Sequence, residues 1–155
     1  MKLISSLICL MMVSYSHGDV CDFGETVVEL CNLTGKINST VVFCANGDQE
    51  VRYLFKKNDS VELEVDFDAT NKLKRWMDLG TYTTYFGFNK GGYSYVLGVP
   101  EEKLGAVAFL DVKKNGKIIS SKECSSNSFG EKNVQNKSIE DVLDSSVKDN
   151  AFRFP

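Results

Sequence analysis

The feature that most restricts this chain is a two-residue alternation of apolar side chains, repeated between turn signals from residue 25 to residue 123. Val61, Leu63, Val65 and Phe67 alternate with Glu62, Glu64, Asp66 and Asp68, and Val51, Tyr53 and Phe55 form a similar row upstream. A strand sends successive side chains to opposite faces, so this pattern reads as half-buried strands. Strands are expected over residues 25–32, 36–44, 49–56, 60–67, 81–89, 92–99, 106–114 and 117–124. Eight short strands at this spacing predict an all-β domain, an antiparallel β-sandwich or partly open barrel. With 43% hydrophobic and 25% charged residues the chain is too apolar for disorder, and 155 residues suit one domain.

Three hairpins can be set in register. A three-residue loop, Lys57-Asn58-Asp59, pairs Phe55 with Val61 and Tyr53 with Leu63, and puts Arg52 opposite Glu64. A two-residue loop would mix the two faces. Lys90-Gly91 closes the second hairpin, with Phe88 opposite Tyr93, Phe86 opposite Tyr95 and Thr84 opposite Leu97. Tyr82 continues that row, and Tyr85 falls on the reverse face. Asn115-Gly116 is a type I′ signal for the third. Residues 69–80 carry Leu73, Trp76, Met77 and Leu79 without a clean period and are expected to be irregular. Over residues 138–148 either a short helix capped by Ser138 or a last strand is expected. The end of the chain, with Phe152 and Phe154, is apolar enough to dock on the body.

Residues 1–18 have the layout of a secretory signal peptide: Lys2, an apolar run over residues 3–13, and small residues before a cut after Gly18. The run is too short to span a bilayer, which takes about 20 residues. Nothing later is long and apolar enough to do so. Cleavage removes Lys2, Cys9 and His17, leaving residues 19–155 with 17 basic and 21 acidic residues, four cysteines and no histidine.

An even cysteine count in an exported chain predicts two disulfides. Three pairings are possible; the favoured one joins Cys44 to Cys124 and Cys21 to Cys31. No CxxC spacing and no histidine are present, so a metal centre is not expected, nor any cofactor. Lack of histidine also removes Ser-His-Asp and Cys-His catalysis, leaving carboxylate-pair or Ser-Lys chemistry. No spacing singles out such a pair. The expectation is a binder rather than an enzyme.

Three features could carry binding. Glu62, Glu64, Asp66 and Asp68 leave one strand face at intervals of about 6.6–6.8 Å, a negative row that would attract a basic partner. The same row also reads as a solvated strand face. Tyr85, with Thr83 and Ser94, could form a recognition patch for sugar or protein on the back of the aromatic hairpin. Loops at Asn46, Asp48 and Lys90 are polar and rich in glycine, where binding often resides. They are not phosphate loops, since GxxxxGK[ST] is absent. The acidic balance argues against nucleic acid as a partner. Sequons at Asn32, Asn38, Asn58 and Asn136 arise readily by chance in such a composition.

The order Cys31, Lys36, Ser39, Cys44, then VRYLF, VELEV, YFGFNKGGYSYVLGV and NGKIISSKEC resembles small secreted β-proteins of the Gram-negative periplasm. Some of these serve as immunity proteins or inhibitors against cell-wall-degrading toxins, such as type VI secretion effectors or lysozyme-like enzymes. The resemblance implies a periplasmic protein that blocks the active site of a basic cell-wall hydrolase. An envelope module that binds carbohydrate or peptidoglycan is the alternative, and a homodimer is compatible with either.

Overall fold

Alternation becomes two stacked sheets in a computed structural model that describes residues 20–125 and 130–155. The expected signal peptide lies outside the described residues. β1 (Thr26–Leu33), β2 (Ser39–Asn46), β3 (Glu50–Lys57) and β4 (Ser60–Phe67) lie side by side in chain order as the first sheet. β5 (Leu73–Asp78), β6 (Thr83–Lys90), β7 (Tyr93–Val99), β8 (Phe109–Lys114), β9 (Lys117–Glu123) and β10 (Ile139–Val142) make the second, in the order β10-β5-β6-β7-β8-β9. Among the described residues only β10 and β5 pair in parallel. A short helix, α1 (Asp144–Asp149), follows β10. Of the two expected architectures, a β-sandwich or a partly open barrel, the fold is the all-β sandwich, with all eight expected strands present, β5 added and β10 as the last strand.

Between the sheets lies a core of interdigitated aromatics. Phe43 sits 5.2 Å from Tyr53, Tyr53 4.7 Å from Phe88, and Phe88 5.2 Å from Phe67 and 5.0 Å from a stacked Tyr95. Tyr53, Phe43, Phe67 and Phe86 are at most 1% exposed. Such rings dominate core energetics, and each tilted or offset pair contributes about 0.5–1.5 kcal/mol beyond its burial. Burial also raises the Tyr53 phenol well above its ordinary pKa, with Tyr95 adding to the effect.

One long side of the sandwich is stitched shut. Leu33 bridges to Cys124, Thr34 N donates to Glu123 O at 2.9 Å, and Ser125 N donates to Asn32 O at 2.6 Å. The Cys31–Cys124 disulfide crosses the same corner. The second disulfide joins Cys21 to Cys44. Both differ from the favoured pairing of Cys44 with Cys124 and Cys21 with Cys31. β2 is apolar on both faces, so its sequence does not say which way Cys44 points. In the fold Val41, Phe43 and Ala45 face the core, whereas Val42 and Cys44 face out beneath the segment that carries Cys21.

Register departs from expectation at two turns. Asn58 and Asp59, both at positive φ, form a two-residue turn, and Phe55 pairs with Leu63 and Tyr53 with Val65. A bulge absorbs the extra residue, Glu62, which keeps Leu63, Val65 and Phe67 inward but leaves Val61, expected in the same row, opposite Lys56 and exposed. Arg52 therefore lies opposite Asp66 rather than Glu64. In the second hairpin the turn is Gly91-Gly92, with φ of 59° and 79°, not Lys90-Gly91. Two positive φ values suit a glycine pair better than a pair that includes lysine. Phe88 thus pairs with Tyr95, Phe86 with Leu97 and Thr84 with Val99, a shift of two that leaves each face unchanged. Tyr82 lies before β6 and is exposed, so it does not extend the buried row. The Asn115-Gly116 turn is as expected.

Residues 69–80 are not irregular throughout, because β5 occupies half of the segment. Arg75 interrupts its inward row yet is only 8% exposed. Its guanidinium holds Asp141 through two bonds, of 2.6 and 2.9 Å, and donates to the carbonyls of Lys132 and Val134. Over residues 138–148 both expected elements occur, β10 and then α1. Ser138 does not cap the helix; it is buried, and its hydroxyl donates to Asn136 Oδ1. Phe154 docks, as expected, on Trp76 and Tyr85, whereas Phe152 stays exposed.

A crossbar, residues 130–138, closes one end of the sandwich. Glu131 N donates to Val27 O, Asn136 Nδ2 donates to the carbonyls of Gly47 and Glu50, and Lys137 N donates to Asp48 O. Gly130 lies directly on the Val28 carbonyl, where any Cβ would collide with backbone. Gly130→Ala is expected to destabilise by about 1–3 kcal/mol in urea unfolding, because backbone cannot yield as a side chain can. An unchanged midpoint would contradict this close approach.

Candidate functional site

The outer face of the first sheet is covered by residues 20–25. Val42, Cys44 and Leu54 point outward but are at most 4% exposed, because Val20 and Cys21 pack over them. The Cys21–Cys44 disulfide, a bond from Lys56 Nζ to Val20 O, and two contacts from Arg52 hold the segment down. Arg52 is the organising group. Its Nη2 meets Asp22 Oδ2 at 2.7 Å and Glu25 Oε2 at 2.9 Å, and its Nη1 meets Glu64 Oε1 at 3.2 Å. Burial alone would weaken this charge, but hydrogen bonds to Glu25, Asp22 and Glu64 more than offset that and raise the Arg52 pKa.

One cation does not neutralise the acids around it. A cleft of about 410 Å³ opens beside Arg52, lined by Asp22, Glu25, Glu50, Asp66 and Asp68. Arg52 is the only basic residue lining it among the described residues. Asp68 is held ionised below the usual carboxylate range by the Thr70 hydroxyl and by the backbone N–H groups of Asn71 and Thr70. The arrangement offers a basic side chain several acceptors and a local excess of negative charge. Cys21, Glu25 and Cys44 also place possible ligand atoms within 4.8 Å of one another. Both sulfurs are in the disulfide, however, and Glu25 is engaged by Arg52, so this trio is not a metal site in the oxidised chain.

Of the residues singled out from the sequence, Asp66, Asp68 and Asn46 line this cleft, and Glu64 reaches it through Arg52. Glu62 lies on the same strand, displaced by the bulge. Asp48 sits at the β2–β3 turn, held below its ordinary pKa by Gln49 and by Lys137, which it meets at 3.5 Å. Lys90 ends β6, in the other sheet. Tyr85 belongs to the opposite outer face, where its ring stacks on Trp76 at 4.7 Å and 15° and meets Phe109 and Phe154 edge-on. Thr83 beside it is buried. The tyrosine patch expected to be open is thus largely covered by its own chain. Asp22, Glu25 and Glu50 were not singled out; only the Cys21–Cys44 link, which sets the first two against β3, would have drawn attention to them.

No protein-family model, curated protein or solved structure matches this chain.

Proposed function

We propose that this chain is an exported binding protein that captures a basic protein partner in the cleft beside Arg52. The partner that best fits this reading is a secreted cell-wall hydrolase, which the protein would neutralise in the periplasm as an immunity or inhibitor protein. The convergence of Asp22, Glu25, Glu50, Asp66 and Asp68 on a cleft with one cation carries the reading. Two disulfides suit an oxidising compartment. Like-signed acids focused in a concave site speed the docking of a cationic partner and reject anionic ones.

The test uses the hydrolase encoded beside this gene, or a basic lysozyme-type enzyme where none is adjacent. Asp66→Lys with Asp68→Lys is expected to weaken binding by about tenfold or more, mainly through slower association that loses its salt dependence. Lys90→Glu, remote from the cleft, is expected to leave binding unchanged. Binding and inhibition that survive the double reversal would remove the cleft from the mechanism. Peptidoglycan binding with no hydrolase binding would favour the envelope-module alternative.

A further inference from the structure

Beneath the crossbar lies a carboxyl group that the cleft does not use. Glu29 is 2% exposed, and its Oε2 is buried with no hydrogen-bond partner among the described residues. It is there because β1 bulges: the register jumps between Val27 and Glu29, so Val28 and Glu29 are both buried. Over this bulge lies the start of the crossbar, with Gly130 on the Val28 carbonyl and Glu131 N bonded to Val27 O at 2.9 Å. The crossbar then holds Arg75 through the carbonyls of Lys132 and Val134, and it ends on the β2–β3 hairpin at Gly47, Asp48 and Glu50.

We infer that Glu29 is a proton-operated latch: its neutral form lets the crossbar lie on β1, and its ionisation releases the crossbar. An ionised carboxylate with an unpartnered oxygen requires water, and the crossbar, bonded to Val27 O and set on the Val28 carbonyl, is the segment that lies on this bulge. Two charged groups act on Glu29. Lys132, from the crossbar itself, favours the ionised form, and Glu102, from the segment between β7 and β8, opposes it. Burial, the largest effect, acts with Glu102 against Lys132 and pushes the group up to about 8. Within the alkaline range, then, the latch opens. Since Asn46 and Glu50 belong to the hairpin that the crossbar grips, release would also loosen one lip of the cleft. That consequence rests on the binding reading above, whereas the latch does not.

Hydrogen exchange of the Glu131 and Lys137 amides at pH 6 and pH 9, each rate divided by its intrinsic value, tests the latch directly. In the native sequence protection at Glu131 is expected to fall about tenfold or more, with core amides of β2 and β6 unchanged. In Glu29→Gln it is expected to stay constant. Protection that does not change, that falls equally in the variant, or that is lost across the core together would overturn the latch. Should Glu29→Gln not fold, the Glu29 carboxyl carbon shift in the native protein decides: a midpoint above pH 7 supports the latch, and one below pH 5.5 overturns it. Neither readout involves a partner, so failure of the latch and failure of the binding reading are separable.

Discussion

Replacing Cys31 and Cys124 by alanine is expected to cost about 4–5 kcal/mol, more than replacing Cys21 and Cys44. The first bridge closes a separation of 93 residues and the second one of 23. Loop-closure entropy gives about 4.7 kcal/mol for the long loop and about 3.4 kcal/mol for the short one. Position adds to the contrast. Cys31 and Cys124 are buried at the corner where the sheets join, whereas Cys21 ties a surface segment to the outer face. Against a typical total of about 5–15 kcal/mol, loss of the long bridge leaves a marginal fold. Urea unfolding of both double variants measures this, and the urea dependence should steepen as the unfolded chain expands. Equal losses, or a larger loss at Cys21 and Cys44, would contradict the account. The short-bridge variant should instead keep its fold and lose partner affinity, because Asp22 and Glu25 are no longer held beside Arg52.

Stability is expected to decline as pH rises from about 4.5 to about 8, and Glu29→Gln is expected to flatten that decline. The folded-state pKa of Glu29 is raised from 4.5 to about 8 by burial. Between those values the native state holds a proton that the unfolded chain has released. Stability referred to that proton is complete below 4.5 and is lost as pH climbs through the folded value, with a slope approaching about 1.4 kcal/mol per pH unit. On the acid side the sign reverses. Asp48, Asp68, Asp78 and Asp144 are all held below their ordinary value, first by hydrogen bonds from Gln49, Thr70, Gly80 and Lys148 respectively. Their contribution is present above about pH 4 and is lost as they protonate. The stability maximum should therefore fall on the acid side of neutrality. Thermal or urea midpoints from pH 3 to pH 9 provide the measurement, and a maximum above pH 8 in the native sequence would refute the assignment.

The strands were legible because an inward row recurs at every second residue in β3, β4, β6 and β7, and in β4 it alternates with a solvated acidic row. β5 was not, because Arg75 occupies an inward position. That position is tolerable only because Asp141 and the carbonyls of Lys132 and Val134, 57 to 66 residues away in sequence, converge on it. Hairpin registers were off where a bulge at Glu62 or a glycine pair at Gly91-Gly92 decided the turn; the second error left the faces unchanged, whereas the first turned Val61 out to solvent opposite Lys56. Cysteine pairing was beyond reach, since β2 carries apolar residues on both sides. The acidic row on β4 could be read directly. The cleft it helps to form could not, because Asp22 and Glu25 reach it only through a disulfide to Cys44. Tyr85 pointed the expected way, but the docking of Phe154 closed the surface it was expected to offer.

The two disulfides overlap along the chain, since Cys31 lies inside the loop closed by Cys21 and Cys44, while Cys124 lies outside it. A pull applied between Cys21 and Pro155 would therefore run directly along the ten residues from Cys21 to Cys31, through the second bridge, and only then along the chain beyond Cys124, leaving the first bridge slack. At full extension this covalent route spans about 150 Å, against about 450 Å for the reduced chain. Even when stretched or denatured, the oxidised protein remains a short tether with most of its length slack.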